Sequence, residues 1–93
     1  MPRYDVELSP RALDDLDRIA PETALRIARK LKDLETDPAP RGDRIKRLHG
    51  FAQPRFRLRV GDYRAIFMSG GFRVVVLRVV HRSELERALS ELL

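Results

Sequence analysis

Apolar and polar residues alternate at a period of two in two stretches of the chain. Tyr4, Val6 and Leu8 alternate with Asp5 and Glu7, and Phe56, Leu58 and Val60 alternate with Arg55, Arg57 and Arg59. Each reads as a strand with one buried face. Gly61-Asp62 then reads as a tight reversal into a second strand, Tyr63 to Phe67, which carries Arg64. Ser69-Gly70-Gly71 marks another reversal. Phe72 to Val80 follows as a nearly continuous apolar run, broken by Arg73 and Arg78, as in a strand covered on both faces. Asp43 to Leu48, with Ile45 and Leu48 as its strong apolar positions, reads as a short strand or an irregular edge segment.

Helical spacing fills the intervals. Ser9 is placed to cap a helix with Pro10 at its first position, where the missing N–H costs nothing. Leu8 and Leu13 are spaced for a hydrophobic staple, and Ala12, Leu13, Leu16, Ile19 and Ala20 form the apolar stripe. Asp14, Asp15 and Asp17 fall mainly on the polar side, where surface helices carry their charges. Pro21 opens a second helix with Ala24, Leu25, Ile27, Ala28, Leu31 and Leu34 at helical spacing. Asp37-Pro38-Ala39-Pro40 cannot continue it and makes a stiff connector. Ser83 and Glu86 are spaced as a capping box for a last helix bearing Leu85, Leu89 and Leu92. The predicted order is β-α-α-β-β-β-α. It describes an α+β domain in which a helical hairpin packs on an antiparallel sheet, followed by a C-terminal helix.

Composition narrows the function classes. At 93 residues, positions 1–93 make a single domain with one modest core. No apolar run approaches the roughly 20 residues that span a bilayer, and the N-terminal stretch has no signal-peptide core, so a cytoplasmic protein is expected. Without cysteine, and with only His49 and His81 as imidazoles, a metal centre is not expected. The net charge of +5 favours nucleic acid, an acidic protein, or both as partners. Arg55, Arg57 and Arg59 on one strand face, with Arg64 on the next strand, match a polyanion, because the planar guanidinium fork fits phosphate oxygens. A solvated outer sheet face explains the same alternation.

The ordered set Val6-Glu7-Leu8-Ser9-Pro10-Arg11-Ala12, Lys46-Arg47-Leu48, Gly50, the hairpin Phe56 to Arg64 and the closing Val80-His81-Arg82 covers nearly the whole chain. It resembles the RelE-like toxins of the RelE/ParE superfamily. The resemblance implies a ribosome-dependent endoribonuclease that cuts messenger in the decoding site without a metal or other cofactor. It also implies a cognate antitoxin. In this reading Arg57, Arg59, Arg64, His81 and Arg82 are the catalytic set, and Lys46, Arg47, Arg55, Arg57, Arg59 and Arg64 contact RNA. Arg64 falls on the family's phosphate-binding arginine and Arg82 on the arginine at the end of the last strand.

The family often carries a tyrosine in its C-terminal segment, whereas this chain has none after Tyr63. Glu86 stands near that place, as a capping partner of Ser83 or as an acid-base group. Since arginine is a poor proton acceptor, His81 is expected to take the proton from the attacking ribose hydroxyl. Two other readings share the fold. One is a ParE-like poison of DNA gyrase, and the other is a catalytically weak homologue that binds only ribosome and antitoxin.

Overall fold

The computed structural model describes residues 3–93; Met1 and Pro2, part of the N-terminal stretch read above for a signal peptide, lie outside them. The elements follow the predicted order with one addition: the segment readable as a short strand or an irregular edge forms a strand, so four strands and not three follow the helical hairpin. They are strand β1 (Asp5–Leu8), helices α1 (Pro10–Asp17) and α2 (Pro21–Lys32), strands β2 (Ile45–Leu48), β3 (Arg55–Val60), β4 (Tyr63–Gly70) and β5 (Arg73–His81), and helix α3 (Leu85–Glu91). Short 3₁₀ turns at Asp33–Glu35 and Arg82–Glu84 extend α2 and precede α3.

The five strands form one sheet in the order β1-β5-β4-β3-β2. The β2-β3-β4-β5 meander is antiparallel, as its short connections require. β1 departs from the expected antiparallel sheet and pairs parallel with β5, from Asp5 opposite Arg73 to Leu8 opposite Val76. No tight turn joins these two strands. The helical hairpin and the whole meander lie between them in the chain, so nothing forces an antiparallel return.

The β3–β4 and β4–β5 turns are each two residues long. Gly61 adopts φ +57°, which the first central position of such a turn demands and which a side chain rarely tolerates. A Cβ there would also stand 3.0 Å from an Nη atom of Arg26 on α2. In β5, Ile66 faces Arg78 but Phe67 faces Val76, which leaves Leu77 as an extra residue in the strand. This bulge switches the alternation, so Val74, Val76 and Val79 all reach the same core.

That core lies between the sheet and the helical hairpin. Ala12 of α1, Ile27 and Leu31 of α2, and Leu34 beyond it pack on Ile45, Leu58, Val60, Ala65, Phe67, Val74, Val76 and Val79. Ser9 caps α1 as expected, its hydroxyl accepting from the Ala12 N–H at 3.1 Å. The staple does not form a buried pair, because Leu13 is half exposed, and Leu25 of the α2 stripe is exposed to a similar degree. On the other sheet face α3 covers Ile66 and Val80 with Ala88, joined by Leu48, Leu85, Leu89 and Leu92. α3 covers only part of that face.

Asp15 is separated from its acidic neighbours by a structural task. β1 ends opposite Val76, so the last residues of β5 present an unpaired edge. Ser9 donates to the Leu77 carbonyl at 2.9 Å, and Asp15 accepts the Val79 N–H at 2.8 Å. The same carboxylate holds the Arg78 guanidinium at 2.8 and 3.2 Å, and Arg78 reaches on to Glu91 of α3 at 3.0 Å. Arg78 therefore ties both helical layers to the sheet.

Candidate functional site

Residues paired across neighbouring strands share a face. The pairs Lys46–Arg57, Arg57–Ile66, Arg59–Arg64 and Arg64–Val80 therefore place Lys46, Arg57, Arg59 and Arg64 on the face that α3 partly covers. Beyond the helix Lys46 and Arg59 are exposed, while Arg57 and Arg64 are partly buried. Arg82 joins them from the end of β5, where its N–H donates to the Asp62 carbonyl at 2.7 Å and so ties the strand end to the β3–β4 turn. Arg57, Arg64, His81, Arg82, Ser83 and Leu85 line an open cavity of about 560 Å³.

Within this array Asp43, on the loop before β2, is the shared counter-ion. Its carboxylate binds Arg59, reaches Lys46 at 3.1 Å and lies 3.7 Å from Arg57, while its carbonyl accepts from Arg57 at 3.3 Å. Hydrogen bonds from Lys46 and then Arg59 hold the Asp43 carboxyl below the ordinary carboxylate range. Arg82 has its own partner in Asp62, at 3.5 Å. Arg64 differs from both groups. Its Nη1 donates to the carbonyls of Gly61 and Tyr63, each at 2.9 Å, and among the described residues no carboxylate pairs with it. Partial burial, followed by the charges of Arg57, Arg59 and Arg82, lowers its affinity for its proton from the usual arginine value. Arginine nonetheless remains a cation at neutral pH.

His81 is oriented by its chain neighbour. Nδ1 accepts the Ser83 backbone N–H at 3.2 Å and lies 2.9 Å from the Ser83 hydroxyl. A backbone N–H can only donate, so the neutral ring carries its proton on Nε2. Tyr63 fixes the ring further by an edge contact at 5.5 Å between centroids. A neutral ring held this way offers no accepting nitrogen unless the Ser83 contact breaks. In the protonated ring, Nδ1–H can turn its hydrogen bond toward the Ser83 oxygen, which leaves Nε2–H available.

Three expected residues do not join the array. Arg47 pairs with Phe56 and so belongs to the opposite sheet face from Lys46. Arg55 shares the face of Arg57 but lies at the other end of β3, with its guanidinium 5.7 Å from the centre of the Phe51 ring. Its Nε and Nη1 are buried without a hydrogen-bond partner, in a separate cavity with Gly50, Phe51, Leu92 and Leu93. Glu86 is exposed on the first turn of α3 and does not line the arginine cavity. Nor does it complete a capping box, because Ser83 sits in the 3₁₀ turn with its hydroxyl toward His81. Asp43 went unrecognised in the sequence, where a lone aspartate after Gly42 has the signature of any turn residue. Among the described residues no group of three or more His, Cys, Asp or Glu side chains is placed to hold a metal, and no helix is long and apolar enough to cross a membrane.

Solved structures share this fold. The chain is similar to the RelBE2 toxin-antitoxin complex from Mycobacterium tuberculosis, with 28% identity, 86% of this chain and 99% of that chain covered, and a TM-score of 0.75. It is also similar to the RelE-RelB complex from Pyrococcus horikoshii OT3, at 24% identity over 86% and 96% of the two chains and a TM-score of 0.73. A free mutant of the E. coli toxin RelE has the same fold, at 21% identity over 96% and 93% and a TM-score of 0.71. A search of curated proteins finds no match. The model of the ParE toxin family, from type II toxin-antitoxin systems of the parDE type, matches residues 6–86. The chain belongs to that family and is a type II toxin of the RelE/ParE superfamily.

Proposed function

We propose that this toxin is an endoribonuclease that cuts messenger in the ribosomal decoding site and is restrained by a cognate antitoxin. The observation that carries the reading is the convergence of Arg57, Arg64, Arg82 and His81 on one open cavity. In the proposed reaction a ribose 2′-hydroxyl loses its proton and forms a bond to the adjacent phosphorus. The bond from phosphorus to the 5′-oxygen breaks, and that oxygen takes up a proton. The arginines offset the charge on the pentacoordinate phosphate, and His81 Nε2–H faces the donor's task. The attacking hydroxyl is positioned by the ribosome and gives its proton to a ribosomal group or to water, since no carboxylate lines the cavity and His81 Nδ1 is taken by the Ser83 N–H.

Expression in cells tests the reaction class. Translation-dependent appearance of cleaved messenger supports the proposal, whereas DNA double-strand breaks without messenger cleavage support gyrase poisoning. That second reading draws on the ParE family match. The antitoxin reading draws on the toxin-antitoxin complexes among the similar structures. Co-expression with a small open reading frame beside the toxin gene is expected to give a stable complex and to relieve growth arrest. Failure of both outcomes removes the antitoxin from the proposal.

Arg64 supplies a graded test of phosphate contact. Arg64→Ala is expected to weaken ribosome binding and to reduce the slope of log affinity against log salt by about one, in a protein that remains folded. An unchanged slope returns Arg64 to the role of a solvated surface cation.

A further inference from the structure

We infer that Asp43 is an internal competitor for the RNA phosphate, a counter-ion that holds part of the cationic array until a phosphate bound by other contacts takes Arg57 from it. The inference deepens the endoribonuclease reading and rests on it. Lys46, Arg57 and Arg59 all turn toward the one Asp43 carboxylate, so an RNA phosphate that approaches them meets an anion already in place. Asp43 remains ionised across the physiological range, because hydrogen bonds from Lys46 and Arg59 favour its charged form.

The partners of Arg64, Arg57, Arg59 and Lys46 suggest an order of entry. Arg64, bonded only to the Gly61 and Tyr63 carbonyls, is free to take a phosphate oxygen without breaking an ion pair. Arg57 comes next. It lines the same cavity, yet its contacts with Asp43 are long, at 3.3 Å to the carbonyl and 3.7 Å to the carboxylate. Transfer of Arg57 from carboxylate to phosphate keeps the guanidinium paired throughout. Arg59 and Lys46 hold Asp43 more closely and remain with it.

The consequence is selectivity for how the RNA is presented. A free strand must pay for displacement from its own binding energy, and its neighbouring phosphates are repelled by Asp43. An RNA held beside the toxin by a large second partner arrives at high effective concentration and overcomes the same competition. Asp43 thus acts on affinity for the phosphate and is a positioning residue rather than a catalytic one.

The test uses the full chain and a short fluorescent oligouridylate, titrated by anisotropy between about 50 and 200 mM salt. Asp43→Asn keeps an accepting oxygen for Arg59 but removes the charge. It is expected to bind the RNA roughly three- to tenfold more tightly at the lowest salt, with a slope of log affinity against log salt steeper by about one. In the Arg57→Ala background the gain from Asp43→Asn is expected to fall below about twofold, since the cation to be released is gone. Equal or weaker binding by a folded Asp43→Asn, in a protein whose affinity still drops with Arg57→Ala, overturns the counter-ion role and leaves the RNA reading intact. A gain that persists undiminished without Arg57 overturns the transfer step. Absence of RNA binding by the native protein and every variant overturns the RNA reading and this inference together.

Discussion

Asp15→Ala is expected to destabilise the fold by about 3 kcal/mol, which for a domain of this size lowers Tm by roughly 12–24 °C. Arg78 and Asp15 are both largely buried, with side chains 13% and 14% exposed. Alanine removes the close partner of the guanidinium and leaves it only Glu91, which is itself half in solvent. It also strands the Val79 N–H at the end of β5, where no strand stands beside it. A buried charge stripped of its partner is among the costliest single changes, and the surviving Glu91 contact places the expected value at the lower end of that class. Asp14→Ala and Asp17→Ala alter exposed positions and are expected to fall within about 0.5 kcal/mol of the native protein. Urea denaturation of the three variants is the check. A loss below about 1 kcal/mol for Asp15→Ala shows that the β5 edge is satisfied without it.

These three aspartates show where the sequence stops being informative. Their spacing predicts a polar helix face, which is correct for Asp14 and Asp17. What separates Asp15 is the early end of β1, a tertiary fact with no local signature. The same limit applies along β3. Arg55, Arg57 and Arg59 are equivalent by alternation, and all three do share a face. The alternation has no information about where α3 lies. Leu92 and Leu93, just beyond α3, line one cavity with Arg55 and Phe51, while Arg57 and Arg59 stay with the array around Asp43. The element order, the Ser9 cap, the Gly61 turn and the core positions of the hairpin were legible because each depends on residues near in sequence. The parallel placement of β1, the exposure of Leu13 and Leu25, and the partners of Asp43 all depend on contacts distant in the chain.

The proton-transfer assignment leads to the second large effect. His81→Gln is expected to slow single-turnover cleavage of messenger on programmed ribosomes by about 10²-fold or more, the usual contribution of a positioned acid or base. Glutamine keeps polarity and size near those of the imidazole but cannot give up a proton, so ribosome binding should change little while the chemical step slows. The pH profile decides the direction of transfer. In the neutral ring Nδ1 is occupied by the Ser83 N–H, and Nε2 already carries a proton, so neither nitrogen is ready to accept. In the protonated ring the Ser83 hydroxyl oxygen, 2.9 Å away, can take the Nδ1 hydrogen bond, and Nε2–H is then a competent acid for the leaving 5′-oxygen. The native rate should therefore fall as pH rises, and His81→Gln should remove that dependence along with most of the rate. An acid limb lost in the same variant identifies His81 as the base and requires that the Ser83 contact open on the ribosome. A native-like profile and rate in His81→Gln exclude the residue from proton transfer. Catalysis then rests on the arginines and on the geometry imposed by the ribosome.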